Sequence, residues 1–202
     1  LESGLLILIV LFPFLGDLRT AVVVCFSLPL SVFICFIVMK ITGVSANLMS
    51  LGGLVIALGM IVDASIVVTE NIFRHLSGKT GINRVEKLKI CTQAPAEVAR
   101  PVFFAILITI LTKFPLFALQ SIEGKMFKPM ALTMIFGLTG SLLVSLTIAP
   151  VLSSIFLKVK SEKENILIKI IKKFYLPILH LAMKHRKTTA GVSLSIFIVS
   201  LL

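Results

Sequence analysis

The chain has 202 residues, of which 57% are hydrophobic and only 14% charged, with a mean hydropathy of +1.09. A soluble domain is nearer half apolar and a quarter charged, so these values exclude one and define a membrane protein. The net charge of +11 does not argue for nucleic-acid binding, because the basic residues collect between apolar segments, as in cytoplasmic loops.

Six apolar runs follow in order, at residues 5–15, 20–39, 47–73, 101–119, 129–157 and from 188 onward. They lack the alternation of barrel strands and read as helices. The third and fifth are long enough to tilt or to extend past the hydrocarbon. Leu1 opens the chain without an initiator Met and without a signal-peptide layout. Residues 188–202 fall short of the ~20 needed to span. Both ends are therefore expected to be cuts in a longer protein. Trp is absent and Tyr occurs once, so aromatic belts are weak.

The third run, NLMSLGGLVIALGMIVDASIVVTENIF, carries Asp63 near its middle and Glu70 seven residues on. A charge at the bilayer centre costs about 2.5–3.5 kcal/mol on insertion scales, and such residues mark ion or proton paths. At 100° per residue, Gly52, Gly59, Asp63 and Glu70 share a roughly 40° arc of one helix face. This predicts a buried acidic seam, with the glycines admitting another helix. Asp63 reads as a proton-titrating carboxylate; the alternative is a structural carboxyl satisfied by a Lys or by hydrogen bonds. Glu70 either extends the proton path or pairs with Arg74 at i+4.

One set of alternate connections holds sixteen of the twenty basic residues: Arg19, then Arg74 to Arg100, then Lys158 to Lys187. That set belongs in the cytoplasm. Residues 40–46 and 120–128 are then short outer loops. Residues 162–187 repeat Ile166, Leu167, Ile170, Ile171, Phe174, Ile178 and Leu181 at helical spacing, with Lys169, Lys172 and Lys173 between them. Such a helix lies along the cytoplasmic membrane surface, kinked at Pro177. A calmodulin-type target is the competing reading.

Lys113 near an outer end reads as snorkelling rather than as a buried counter-ion. Thr133, Thr139, Ser141, Ser145 and Thr147 form a polar stripe suited to bridging helices, or less commonly to carrying a water wire. His75, His180 and His185 lack a carboxylate companion or HExxH spacing that would make a metal site. Met49 and Met60 are weak candidates for a soft metal ligand; they and Met126, Met130 and Met134 otherwise read as packing residues. Cys25, Cys35 and Cys91 read as free thiols. No P-loop, cofactor motif or nucleophile–base pair occurs, so neither nucleotide-driven work nor catalysis is expected.

LGGLVIALGMIVDASIVVTENIFRHL at 51–76, followed by EVARPVFF at 97–104, resembles the resistance-nodulation-division efflux transporters. FPLFALQSIEGKMFKPMALT at 114–133, with the span through LTIAPVLSSIFLK, is similar to their heavy-metal branch, and GDLRTAVVVCFSLPLS at 16–31 matches as well. The resemblance implies an all-helical membrane bundle over 1–157, roughly the second to sixth helices of the family. A cytoplasmic surface helix at 158–187 and the start of a seventh span at 188–202 would follow. It further implies a homotrimeric inner-membrane proton/cation antiporter, working with a periplasmic adaptor and an outer-membrane channel. Asp63 matches the proton-relay acid of the family and Glu70 a glutamate of its pattern; the relay lysine would lie in second-half helices absent here. Drug exporters of the superfamily carry paired Asp where this chain has Asp63-Ala64. Zinc/cobalt/cadmium-type members often have Asp where Ala57 stands, and copper/silver-type members place Met where Ile61 and Val68 lie nearby. The metal stays open, and a drug exporter or a non-transporting accessory protein are the rival readings.

Overall fold

A computed structural model describes residues 18–77, 83–157 and 166–200. The run at 5–15 lies outside the described residues. Helix α1, Leu18–Thr42, ends in a tight turn in which Gly43 takes φ +73°, a conformation that glycine adopts without steric cost. The Val44 N–H then donates to the Met39 carbonyl at 3.0 Å, closing the six-to-one bond of a Schellman end. Asn47 caps α2, Leu48–Leu76: its side chain accepts from the Ser50 N–H at 2.9 Å, and Ser50 Oγ accepts from the Asn47 N–H at 2.9 Å. This reciprocal box satisfies two otherwise orphaned donors at a helix start.

Helix α3, Arg84–Leu111, begins at the Asn83 cap and runs unbroken through Pro95 and Pro101. The span boundary predicted at Pro101 is therefore wrong by about five turns. A proline inside a membrane helix forfeits one hydrogen bond, and neighbouring helices and local adjustment make that tolerable. The same correction applies to α4, Ser121–Phe156, which passes through Pro129 and Pro150. Its first turns occupy the expected outer loop at 120–128, so the connection moves back to residues 112–120 around a 3-10 turn at Phe114–Ala118. Ser121 enters α4 at φ +59°, and a side chain on Gly124 would strike the Leu119 carbonyl.

Helices α2 and α4 form the principal packed pair, with α1 against α4 and α3 along both. One apolar cluster joins Val68, Ile72 and Leu76 to Cys91, Val102, Ile106 and Leu138; another joins Cys35, Met39, Leu54, Ala57, Ile61 and Met134. Three glycines let backbones meet. A Cβ on Gly53 would lie 2.5 Å from the Met130 carbonyl, one on Gly140 2.8 Å from the Ser31 carbonyl, and one on Gly137 3.0 Å from the Ile61 side chain. Among the described residues four helices are long and apolar enough to cross a membrane: Arg19–Thr42, Leu48–Leu76, Arg84–Ala118 and Ser121–Phe156. The described residues hold no strand, and the chain is an all-α membrane helix bundle.

Residues Lys163–Leu202 form a separate compact unit. Within it α5, Ile166–Lys184, continues through Pro177, and α6, Arg186–Ser200, follows directly after His185. The expected helix at 162–187 is thus shorter by a turn at its end, and the last apolar stretch starts as its own helix. Thr189 Oγ1 bonds the Ala182 and His185 carbonyls across the junction. Tyr175, Ile178, Leu181 and Met183 are exposed, as an interfacial helix requires before it meets lipid.

Candidate proton-relay site

Asp63 sits midway along α2 and is exposed, as is Glu70 two turns further on. The buried residues of α2, among them Ala57, Ile61, Val68 and Ile72, centre roughly 150° around the helix from Asp63. Hydrophobic burial therefore fixes the rotation of α2 and turns the acidic arc away from the bundle formed here. Gly52 and Gly59 lie on that outward arc with nothing within 4 Å of a would-be Cβ. The seam is open in this chain, and close helix approach occurs instead at Gly53, one residue from Gly52 and on the buried side.

At the edge of the arc, Asp63 lines a cavity of about 170 Å³ with Met60, Ala64 and Val67 of α2. Val102, Ala105, Ile106 and Thr109 of α3 and Leu138 of α4 complete it. At ~30 Å³ per water this is room for a few molecules beside the carboxylate. Among the described residues Asp63 makes no side-chain hydrogen bond and no ion pair. The alternative of a carboxyl satisfied within its own bundle finds no partner here.

Glu70 does not pair with Arg74 among the described residues. Arg74 instead lines a hollow with Asn71, His75 and Glu97. His75 Nε2 lies 3.3 Å from a Glu97 carboxylate oxygen, and Asn71 Nδ2 donates to the Ala94 carbonyl at 2.7 Å. Glu97 is the residue that sequence reasoning missed, and it corrects the expectation that His75 lacks a carboxylate companion. The available signal was an acid in α3 just ahead of its apolar half, opposite the basic end of α2. Two groups do not make a metal site, and no cluster of three His, Cys, Asp or Glu occurs among the described residues.

The polar stripe of α4 splits by helix rotation. Ser141 is buried and donates to the Ile61 carbonyl of α2, bridging the two helices. Thr133, Thr139, Ser145 and Thr147 bond carbonyls of their own helix, and Thr139 and Thr147 face outward. Ser141→Ala is expected to lower stability by about 0.5–1 kcal/mol, read as a fall in thermal midpoint in detergent. Met60 shares the Asp63 cavity, but Met49 lies roughly 16 Å away along α2, too far to share a metal ion with it. Met130 and Met134 pack in the core, Lys113 is half-buried before the 3-10 turn, and all three cysteines are free.

The fold and site define a membrane protein: a bundle of long apolar helices, one of which carries a carboxylate with no side-chain partner among the described residues, beside a small cavity. The chain belongs to the AcrB/AcrD/AcrF family, whose model matches residues 1–202. Protein HelA of Legionella pneumophila is 36% identical, covering 100% of this chain and 20% of HelA. The putative cation efflux system protein SilA of Salmonella typhimurium is 37% identical, covering 98% and 20%. The cation efflux system protein CusA of Escherichia coli (strain K12) is 34% identical, covering 96% and 19%. A solved heavy metal efflux pump superposes with a TM-score of 0.77 at 34% identity, covering 99% of this chain and 18% of that one. The family is thus the resistance-nodulation-division transporters, in their heavy-metal efflux branch. The chain spans about a fifth of the length of these relatives.

Proposed function

We propose that this chain is part of the membrane domain of a proton-driven exporter of heavy-metal cations, a secondary antiporter rather than an enzyme. Asp63 takes a proton from the outer side and releases it inward. Its change of charge biases how the Gly52/Gly59/Asp63/Glu70 arc packs against a helix from outside this chain, and the bundle rocks in response. A proton shifts such an equilibrium only by its different affinity for the two arrangements. The observation that carries this reading is the unpaired carboxylate beside a hydratable cavity, at mid-length in a membrane helix. The names of the relatives favour cation efflux, and the Asp63-Ala64 pair in place of two acids agrees with it.

On this reading helices α1 to α4 belong to the bundle, α5 lies on the cytoplasmic membrane surface and α6 begins another span. The whole protein acts as a homotrimer in the bacterial inner membrane, with a periplasmic adaptor and an outer-membrane channel. The test is the full-length protein in proteoliposomes carrying an internal pH dye. A metal gradient is expected to drive proton flux, with copper/silver and zinc/cobalt/cadmium series identifying the substrate. Flux driven by dyes or detergents but not by metals makes it a drug exporter; no coupled flux with any of them ends the transport reading.

A further inference from the structure

Helix α3 joins the apolar cluster it shares with α2 through Cys91, Ala94, Val98, Val102 and Ile106, and Pro101 divides a part with polar ties to α2 from the part that walls the Asp63 cavity. The cavity beside Asp63 is walled by Val102, Ala105, Ile106 and Thr109, all after Pro101. The polar contacts from Asn71 and His75 reach Ala94 and Glu97, both before it. Pro101 has no N–H, so the Glu97 carbonyl loses its helical partner at the point between those two parts. Sharp helix bends concentrate at such positions. Pro101 is itself exposed among the described residues, and its ring is not part of the packed core there.

The side chains that grip the first part of α3 are suited to hold it fixed. Asn71 Nδ2 donates to a main-chain carbonyl, which does not depend on any rotamer of α3. His75 Nδ1 is anchored on the Asn71 carbonyl of its own helix at 2.9 Å, which aims Nε2 at Glu97. Lys87 adds a third tie from the same part of α3, donating to the Ser154 carbonyl of α4. Arg74 is the other charged group in the hollow, beside the Glu97 carboxylate. Beyond Pro101, by contrast, α3 presents apolar residues to the cavity, and only Val102 and Ile106 are buried there.

We propose that Pro101 is a hinge on which the second half of α3 swings to open and close water access to Asp63. The Asn71–Ala94 and His75–Glu97 contacts are its fixed fulcrum. His75 and Asn71 are thus positioning residues for the relay, and Pro101 sets how readily the cavity hydrates. The inference rests on the proton-driven reading for its purpose, but not for its mechanics.

Hydrogen–deuterium exchange on the full-length protein in nanodiscs tests the mechanics without transport. Pro101→Ala restores a helical N–H at an exposed site, so the fold is retained and the thermal midpoint rises by a few degrees. Exchange of the amides at 102–105 is expected to slow at least fivefold, and unchanged exchange overturns the hinge. His75→Ala is expected to quicken exchange at 94–98, whereas His75→Arg keeps the ion pair and retains the native rate. Equal behaviour of those two variants overturns the fulcrum. In proteoliposomes Pro101→Ala is expected to slow proton flux about tenfold despite its higher midpoint, and native flux overturns the gating role. Absence of flux in the unmodified protein defeats the antiport reading alone, and the exchange results then decide the hinge.

Discussion

Asp63→Asn is expected to reduce metal-driven proton flux in the full-length protein to the leak of empty vesicles, with insertion and assembly intact. Asn preserves volume and a hydrogen-bonding end but cannot alternate between neutral and charged forms. No partner of Asp63 among the described residues is orphaned by the change, because it makes no side-chain hydrogen bond or ion pair there. Stability should therefore hold while coupling disappears. Metal resistance retained by cells carrying the variant would remove Asp63 from the relay. Glu70→Gln is the companion measurement: a loss comparable to that of Asp63→Asn extends the path toward the cytoplasm, and native flux makes Glu70 an interfacial residue.

Gly53→Ala is expected to be the most damaging glycine substitution to the packing of α2 against α4, at about 1–3 kcal/mol, the usual cost of overpacking a filled interior. The added methyl would fall 2.5 Å from the Met130 carbonyl and 3.0 Å from its Cα and Cγ, and only movement of the whole of α4 relieves a backbone collision. Gly140→Ala meets the Ser31 carbonyl at 2.8 Å and should cost a similar amount between α1 and α4. Gly52→Ala and Gly59→Ala meet nothing and are expected to leave this bundle's thermal midpoint within about a degree. Their effect belongs to transport, if a helix from the rest of the protein seats on that arc. A Gly52→Ala midpoint as low as that of Gly53→Ala would show that the arc is already packed.

The membrane class, the helix content and the position of Asp63 were legible because hydropathy and a single interrupting charge carry them directly. The rotation of α2 was not. The wheel groups Gly52, Gly59, Asp63 and Glu70, but the opposite arc of Ala57, Ile61, Val68 and Ile72 is also apolar and small, so periodicity cannot say which side a neighbour takes. Burial of the second arc answers that, and it puts Gly53 rather than Gly52 at the contact. The expected helices began at 101 and 129 because the apolar runs begin there, after Arg100 and Lys128, whereas α3 and α4 start earlier in polar sequence and pass through Pro101 and Pro129. Inside packed spans the lost hydrogen bond is absorbed by the surroundings. The His75–Glu97 pair was hidden by distance along the chain: it joins two helices whose register only the packing of Ile72 and Leu76 against Cys91 and Ala94 defines.

The outward rotation of α2 also bears on biosynthesis. Its best window averages a hydropathy of 2.3, enough to enter the bilayer even with an acid aboard. The five-residue connection from Gly43 to Asn47 ties it to α1, so the two would partition as a hairpin. Within this bundle the Asp63 carboxylate faces outward, so it stays uncovered until another helix packs on that arc. The working site would come into being by docking after insertion, and a membrane chaperone or quality-control protease would find at Asp63 a ready mark of a half-built molecule.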